Sequence, residues 1–284
     1  MPHFTHDGHR LSYTVFGAGP RTTILLPGLL FSQRMQFPLA RALATRGHQV
    51  VTLDLLGHGD SDRPCDMTRY SMQGFAAQTV ALMDYLELGE AVVGGTSLGA
   101  NTTLEVAALA PERVRGMVVE MPVLDNALLG CAVAFTPLML ALTFGEPVMR
   151  AVQRAARLVP RRGLPALLDL GLDWVRQDPA PSAAVVQGLF FGRVAPPHRE
   201  RTTFTAPTLI IGHPRDPVHP FSDADALAHE LRNSRLLDAN SILELRIKPE
   251  RLTREIADFV AECWAPREKP RAAGPRARRR AARA

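Results

Sequence analysis

Short apolar runs alternate with longer segments in which apolar positions recur three and four residues apart. The short runs are rich in Val, Ile and Leu and end at Gly, Pro or Asp, which predicts buried strands. The longer segments predict helices, and strands that alternate with helices of ten or more residues indicate a mostly parallel sheet with helices on both faces. The predicted strands cover residues 11–16, 22–26, 49–53, 90–94, 114–121, 208–212 and 235–238, and the predicted helices cover 37–46, 71–86, 101–110, 222–231 and 249–264.

Two regions of the chain depart from this alternation of strands and helices. The first two strands are separated by the turn signal Gly17-Ala18-Gly19-Pro20, which predicts an N-terminal antiparallel hairpin. Residues 122–205 are helical and apolar in pattern and are interrupted by prolines, which indicates a helical cap inserted above the sheet. We therefore expect an α/β core at 1–121 and 206–264, a cap at 122–205 and a tail at 265–284.

Charge is concentrated at the end of the chain. The net charge of the 284 residues is +5, but the tail has eight Lys or Arg and one acid, Glu268, so the remainder is close to neutral. The tail is rich in Ala, Arg, Pro and Gly without apolar periodicity, which predicts disorder. Such a run binds polyanions weakly whatever its role, so a solvated tail is favoured over a nucleic-acid or membrane contact, and no specific nucleic-acid partner is predicted.

Several other classes of function find no support in the sequence. The cysteines Cys65, Cys131 and Cys263 stand singly, which favours a reducing cytoplasm and gives no metal-ligand spacing. No secretory signal is visible at the polar N-terminus, and no dinucleotide or phosphate motif implies a cofactor. Residues 127–145 carry no charge, but Pro137 and the elements on both sides favour a buried or pocket-lining helix over a membrane span. The oligomeric state is left open.

The chemistry is concentrated around Ser97. The run Gly95-Thr96-Ser97-Leu98-Gly99 follows a β-branched strand and precedes a helix, the arrangement of a nucleophile elbow. Small residues two before and two after the serine permit a tight turn that exposes its hydroxyl. The helix N-terminus behind it favours developing negative charge.

Taken with other motifs, the chain resembles the α/β-hydrolase fold family over residues 8–264. The matching pieces are the elbow and the runs at 26–29, 53–64, 111–114 and 212–217. The resemblance implies a nucleophilic Ser97, an oxyanion hole made by the backbone N–H groups of Leu29 and Leu98, and a triad acid at Asp216. A helix-capping aspartate and an ordinary loop leucine are the alternatives for Asp216 and Leu29.

The catalytic base is the departure from the family pattern. The resemblance implies a histidine after the last strand, but residues 237–244 contain none, and neither Ser241 nor Ile242 can accept a serine proton. His219, three residues after Asp216 on the neighbouring loop, is our hypothesis for the base. His213 and His58 are weaker candidates, expected to pack within the fold, and Glu120 is a less favoured acid.

Two hypotheses for function follow. The first is a serine hydrolase acting on a small to medium hydrophobic ester or lactone, with a pocket lined by residues 127–144, 164–172 and 189–191. The second is a binding or regulatory protein that keeps the fold but hydrolyses poorly because the usual histidine is absent. Haloalkane dehalogenation and epoxide hydrolysis are disfavoured because they need a carboxylate at the elbow, whereas a perhydrolase or acyltransferase would use the same serine.

Overall fold

The computed structural model describes residues 1–161 and 163–266, so nearly all of the basic tail lies outside the described residues. Its centre is an eight-stranded sheet in the order β1-β2-β4-β3-β5-β6-β7-β8. The strands β3 to β8 run parallel to one another, as the alternation of elements predicts. They are β1 (His3–His6), β2 (His9–Phe16), β3 (Thr22–Leu26), β4 (Gln49–Leu53), β5 (Ala91–Thr96), β6 (Val114–Glu120), β7 (Thr208–Gly212) and β8 (Ser234–Asp238).

The N-terminal antiparallel hairpin is present, but β1 and β2 form it. The predicted partner of β2 was β3, and this pairing is wrong: β4 lies between the two strands and pairs antiparallel with β2. The strand β1 is short and polar, so its sequence gives little periodic signal.

Helices cover both faces of the sheet. Alternate strand residues point to opposite faces, so Ile24 and Val93 pack under α2, α3 and α9, while Leu25 and Val92 pack under α1 and α11. The helices of the core are α1 (Phe37–Ala44), α2 (Met72–Tyr85), α3 (Leu98–Leu109), α9 (Phe221–Glu230), α10 (Glu244–Ile247) and α11 (Glu250–Cys263).

Between β6 and β7 the described residues form the helices α4 (Leu128–Phe144), α5 (Glu146–Leu158), α6 (Ala166–Val175), α7 (Pro179–Phe190) and α8 (His198–Arg201), and we call this segment the cap. Buried polar side chains of the core attach this segment. The Asp223 carboxylate accepts hydrogen bonds from the backbone N–H groups of Leu124, Asn126 and Ala127. The amide of Asn101 donates to the carbonyl oxygens of Val123 and Val194. The residues that lead into α4 and the segment after α7 are therefore both fixed to the core.

Candidate active site

The turn at Ser97 is tight because two glycines allow it. Ser97 has φ 55° and ψ −111°, a conformation that L residues rarely adopt. A Cβ on Gly95 would collide with the backbone of Gly99, and a Cβ on Gly99 would collide with the carbonyl oxygen of Leu26. The strand β5 lies between β3 and β6, so the turn holds the serine at the centre of the carboxyl edge of the sheet.

The structure brings the three predicted side chains Ser97, His219 and Asp216 together. Ser97 Oγ lies 2.8 Å from His219 Nε2, and His219 Nδ1 lies 2.9 Å from Asp216 Oδ2. Both contacts are at hydrogen-bonding distance. Asp216 and His219 belong to the loop between β7 and α9, residues 213–220, which we call the β7 loop.

The short spacing of Asp216 and His219 produces this contact through a local turn. Asp216 Oδ1 accepts hydrogen bonds from the backbone N–H groups of Val218, at 2.8 Å, and of His219, at 3.0 Å. This turn leaves Oδ2 free to meet the imidazole. Asp216 does not cap α9, as the alternative proposed, because that helix begins after Pro220 and has no side-chain cap hydrogen bond.

Hydrogen bonding keeps Asp216 ionised. Burial alone would raise its pKa, but the hydrogen bonds from the His219 side chain and backbone, with that from Val218, lower the pKa to about 2. The carboxylate therefore accepts a hydrogen bond from Nδ1–H, and with the proton held on Nδ1 the Nε2 lone pair faces Ser97 Oγ.

The segment that follows β8, residues 239–249, includes the short helix α10 and serves a different purpose; we call it the β8 loop. Ser241 and Ile242, where the resemblance implies a histidine, are exposed, and the Ser241 carbonyl accepts from His213 Nδ1 at 3.0 Å. Further along the loop, an Arg246 nitrogen lies 2.9 Å from Thr96 Oγ1 and 3.0 Å from Glu120 Oε2.

Glu120 is held behind the elbow and not beside the imidazole. It is buried, and its Oε2 accepts from Thr96 Oγ1 at 2.5 Å. Burial would raise its pKa, but the charge of Arg246, with smaller contributions from His213 and Thr96, lowers it to about 2. Glu120 is thus the partner of Arg246 and braces Thr96, the residue before the serine.

The other histidines considered for the base lie away from Ser97. His213 is buried, with Nε2 at 3.4 Å from Glu120 Oε1. His58 is completely buried and its Nδ1 lies 2.9 Å from the Leu56 carbonyl. Burial lowers the pKa of His58 to about 4, so it is neutral in the fold. Both fit the packing roles expected of them.

A cavity of about 280 Å³ opens above Ser97. Leu29 and Leu98, whose N–H groups were predicted to form the oxyanion hole, line its floor together with the serine. The polar Asn101 also lines it, but its amide is occupied by the backbone hydrogen bonds described above. Most of the remaining wall is apolar and comes from α4 and α7: Leu128, Cys131, Ala132, Phe135, Val186, Leu189 and Phe190.

One predicted part of the wall is wrong. Among the described side chains of 164–172, none lines this cavity; Leu167 and Leu170 of α6 instead border a separate cavity near Arg246. The apolar composition of this segment gave no indication of which side of the cap it would cover.

The helix α4 contacts the β7 loop directly. A Cβ on Gly130 would lie 2.9 Å from the Pro217 carbonyl oxygen, so only glycine fits without a shift of the loop. Cys131 Sγ lies 3.8 Å from the Val218 carbonyl oxygen. The cap therefore contacts the segment that carries both Asp216 and His219.

The prediction for the uncharged segment is only partly right. One side of α4 lines the cavity as expected, but Leu129 is 77% exposed and Phe144 is 80% exposed, so the helix is not buried. Residues 125–144 are long and apolar enough to cross a membrane on length and composition, with 11% of the most apolar window buried.

Comparison with known proteins agrees with this architecture. A family model described as alpha/beta hydrolase fold matches residues 23–143, which include the elbow. The enol-lactonase from Burkholderia xenovorans LB400 superposes with a TM-score of 0.75 over 92% of this chain and 100% of that one, at 19% identity. The chain has the α/β-hydrolase fold.

Curated relatives match shorter stretches of this chain. The mouse bifunctional epoxide hydrolase 2 is 33% identical over 112 residues, which are 39% of this chain and 20% of the relative. The zearalenone hydrolase of Cladophialophora bantiana is 34% identical over 121 residues, 42% of this chain and 45% of the relative. The chain thus aligns with less than half the length of either relative, and both are named as hydrolases.

Proposed function

We propose that the protein is a serine hydrolase that cleaves small to medium hydrophobic carboxylic esters or lactones through an acyl-enzyme on Ser97. The observation that carries this proposal is the continuous chain of contacts from Ser97 Oγ through His219 to Asp216, 2.8 Å and 2.9 Å long, at the floor of an apolar cavity. Nucleophile, base and orienting acid in this geometry are suited to acyl transfer.

In the first half of the reaction Ser97 attacks the substrate carbonyl. As the Oγ–C bond forms, the hydroxyl proton passes to His219 Nε2, and the carbonyl oxygen becomes an oxyanion. Collapse breaks the bond from the carbonyl carbon to the leaving oxygen, which takes the proton from His219. In a lactone, the released alcohol remains attached to the acyl group.

In the second half water replaces the leaving group. His219 Nε2 accepts a proton from the water as its oxygen attacks the acyl carbon, and then returns a proton to Ser97 Oγ as the acid is released. Asp216 stays ionised throughout because of its low pKa, and it stabilises the imidazolium formed in each half.

Leu29 and Leu98 complete the proposed machinery. Leu98 is the first residue of α3, where backbone N–H groups have no partner within the helix. The Leu29 N–H would supply the second donor from the loop after β3. Two such donors preorganised for the oxyanion typically contribute about 3–4 kcal/mol each in related chemistry.

The proposed substrate class follows from the cavity. An apolar wall and a volume of about 280 Å³ suit a neutral acyl chain or ring, with the reacting ester group alone meeting polar atoms. Two of the similar proteins are named as a zearalenone hydrolase and an enol-lactonase, which supports the lactone option. Epoxide opening is disfavoured because Ser97 is not a carboxylate. We place this activity in the cytoplasm.

The binding-protein alternative was motivated by the lack of a histidine after β8. His219 Nε2, which lies 2.8 Å from Ser97 Oγ, offers an imidazole from the β7 loop instead, and this contact supports the hydrolase over the binding protein.

The proposal is tested by hydrolysis of p-nitrophenyl butyrate and of a medium-ring aliphatic lactone by the full chain and by Ser97→Ala. We expect kcat/KM to fall by about 10⁴-fold or more in the variant, because the nucleophile is removed. The proposal would be contradicted if folded wild-type protein hydrolysed both substrates no faster than Ser97→Ala. That result would favour the hypothesis of a binding protein.

A further inference from the structure

A second cavity lies under the same cap and differs in chemistry from the first. It has a volume of about 410 Å³ and is lined by polar and charged side chains. It lies between the loop after β4, the segment that starts at Ser32, and the helices α5 and α6. Of the described residues that line it, five are arginines: Arg34, Arg63, Arg157, Arg161 and Arg176.

The charge of the lining is unbalanced. Among the described residues, the five arginines share the lining with two carboxylates, Asp60 and Asp173, so the lining itself has an excess of three positive charges. Carboxylates behind the lining reduce this excess in part: Asp54 and Asp178 act electrostatically on Arg63, and Asp169 interacts with Arg34 and Arg176. Arg161 alone among the five is ion-paired, with Asp169 and Asp173. Within residues 1–161 and 163–266, the other four form no ion pair.

These four guanidinium groups also use only some of their N–H donors in hydrogen bonds. Arg176 uses two nitrogens on the carbonyl oxygens of Ala156 and Val159, and Arg63 uses one on the carbonyl of Gly59. The nearest partner of Arg157 is a carbonyl oxygen at 3.5 Å, a long contact. Each guanidinium offers five N–H donors, so most of them remain available for a ligand.

The walls are fixed in place by a buried aspartate. Asp173 Oδ2 accepts from the Ser32 backbone N–H at 3.2 Å and from the Ser32 hydroxyl at 2.5 Å, while Oδ1 accepts from Arg161 at 3.0 Å. The cap helix α6 is thereby joined to the core loop that follows β3. The cavity is a feature of the junction between cap and core and is separate from the wall over Ser97.

From this geometry we infer that the arginine cavity is a binding site for a compact polyanion that carries phosphate groups. Guanidinium groups recognise phosphate through paired, charge-assisted hydrogen bonds. The four unpaired arginines approach from different elements, and a tetrahedral phosphate offers oxygens in several directions, whereas a planar carboxylate offers them in one plane. The ligand would bridge the cap helices and the core.

Inorganic pyrophosphate is the probe, titrated calorimetrically into the full chain at constant ionic strength, with Ser97→Ala as the background so that turnover contributes no heat. We expect saturable binding at one site. Arg34→Gln and Arg157→Gln should each weaken it by about tenfold or more, since a charge-assisted hydrogen bond is lost in each.

The matched control is Arg154→Gln, which removes the same charge from the exposed face of α5 but does not line the cavity. It should change the affinity by less than about twofold. Thermal unfolding confirms that each variant folds, and because Arg34 and Arg157 are exposed and lie in different parts of the chain, either one alone is decisive.

Three outcomes would overturn the inference. They are the absence of saturable pyrophosphate binding, equal weakening by all three substitutions, and binding to phosphatidylglycerol vesicles without binding of pyrophosphate. The last outcome would assign the arginines to a lipid headgroup. None of these results depends on hydrolysis at Ser97, so the inference and the proposed function can fail separately.

Discussion

Two neighbouring loops at the carboxyl edge of the sheet have different tasks in this molecule. The β7 loop carries the His219 imidazole that contacts Ser97 and the Asp216 carboxylate that contacts this imidazole. The β8 loop, where the family pattern implies the histidine, instead places Arg246 behind the elbow, against Thr96 and Glu120. The histidine contact to the serine that the family pattern implies after the last strand is thus made here from the loop after the preceding strand.

The physical reason is the adjacency of the two strands. The strands β7 and β8 are parallel neighbours, so the loops at their carboxyl ends emerge side by side. A turn of three residues after Asp216 is enough to bring an imidazole to the serine. We propose that the β7 loop performs the chemistry and that the β8 loop stabilises the elbow, and the two contributions can be separated experimentally.

The largest expected effect is the loss of activity when the imidazole of the β7 loop is removed. His219→Ala should lower kcat for a p-nitrophenyl ester by about 10⁴-fold or more, because loss of a base abolishes proton transfer from Ser97. Added imidazole should restore part of the rate, which a misfolded variant would not allow. The matched control is His229→Ala, an exposed histidine on α9 that should retain full activity. A rate within tenfold of wild type for His219→Ala would show that the base lies elsewhere.

The second effect is in the β8 loop and concerns stability. Arg246→Gln leaves the buried Glu120 carboxylate without its cation, and we expect a loss on the order of 3 kcal/mol in the free energy of unfolding. Denaturant titration measures this quantity. The rate of the remaining folded enzyme should stay within a few fold of wild type, the reverse of the pattern for His219→Ala.

The same substitution should change the acid dependence of stability. The pKa of Glu120 is lowered in the fold to about 2, from 4.5, so its contribution is present above pH 4.5 and is lost as the pH falls towards 2. Arg246→Gln should therefore flatten the stability curve between these values. If the free energy of unfolding of Arg246→Gln depends on pH in this range as steeply as that of wild type, Arg246 does not hold the low pKa of Glu120.

The smallest expected effect is a change in kcat that results from the contact between the cap helix α4 and the β7 loop. Gly130→Ala places a methyl group 2.9 Å from the Pro217 carbonyl oxygen and should displace the loop slightly, lowering kcat by roughly tenfold. Gly171→Ala on α6 is the matched control, since its methyl group meets nothing within 4 Å. Equal rates for both variants would show that the β7 loop tolerates pressure from α4.

The elements that depend on a local sequence pattern could be predicted from the sequence alone. Glycines around Ser97 predicted the elbow, and apolar periodicity predicted most strands of the sheet within a few residues. The contact of His219 with Asp216 was also open to prediction, because it depends on a turn of three residues.

Long-range contacts explain most of what the sequence did not reveal. Arg246 lies 150 residues from Thr96 in the chain, and no local pattern connects them. The arginine cavity likewise collects residues from both core and cap. The pairing of β2 with β4 in place of β3 depends on a crossover, which the turn signal between β2 and β3 does not encode.

The most direct test of the division between the two loops is the rate of fluorophosphonate labelling, followed by intact mass, in wild type, Ser97→Ala, His219→Ala and Arg246→Gln. We predict rapid single-site labelling of wild type and of folded Arg246→Gln, and none on the same timescale for the other two. Labelling of His219→Ala at the wild-type rate would contradict the account, because Ser97 would then be activated without the β7 loop imidazole.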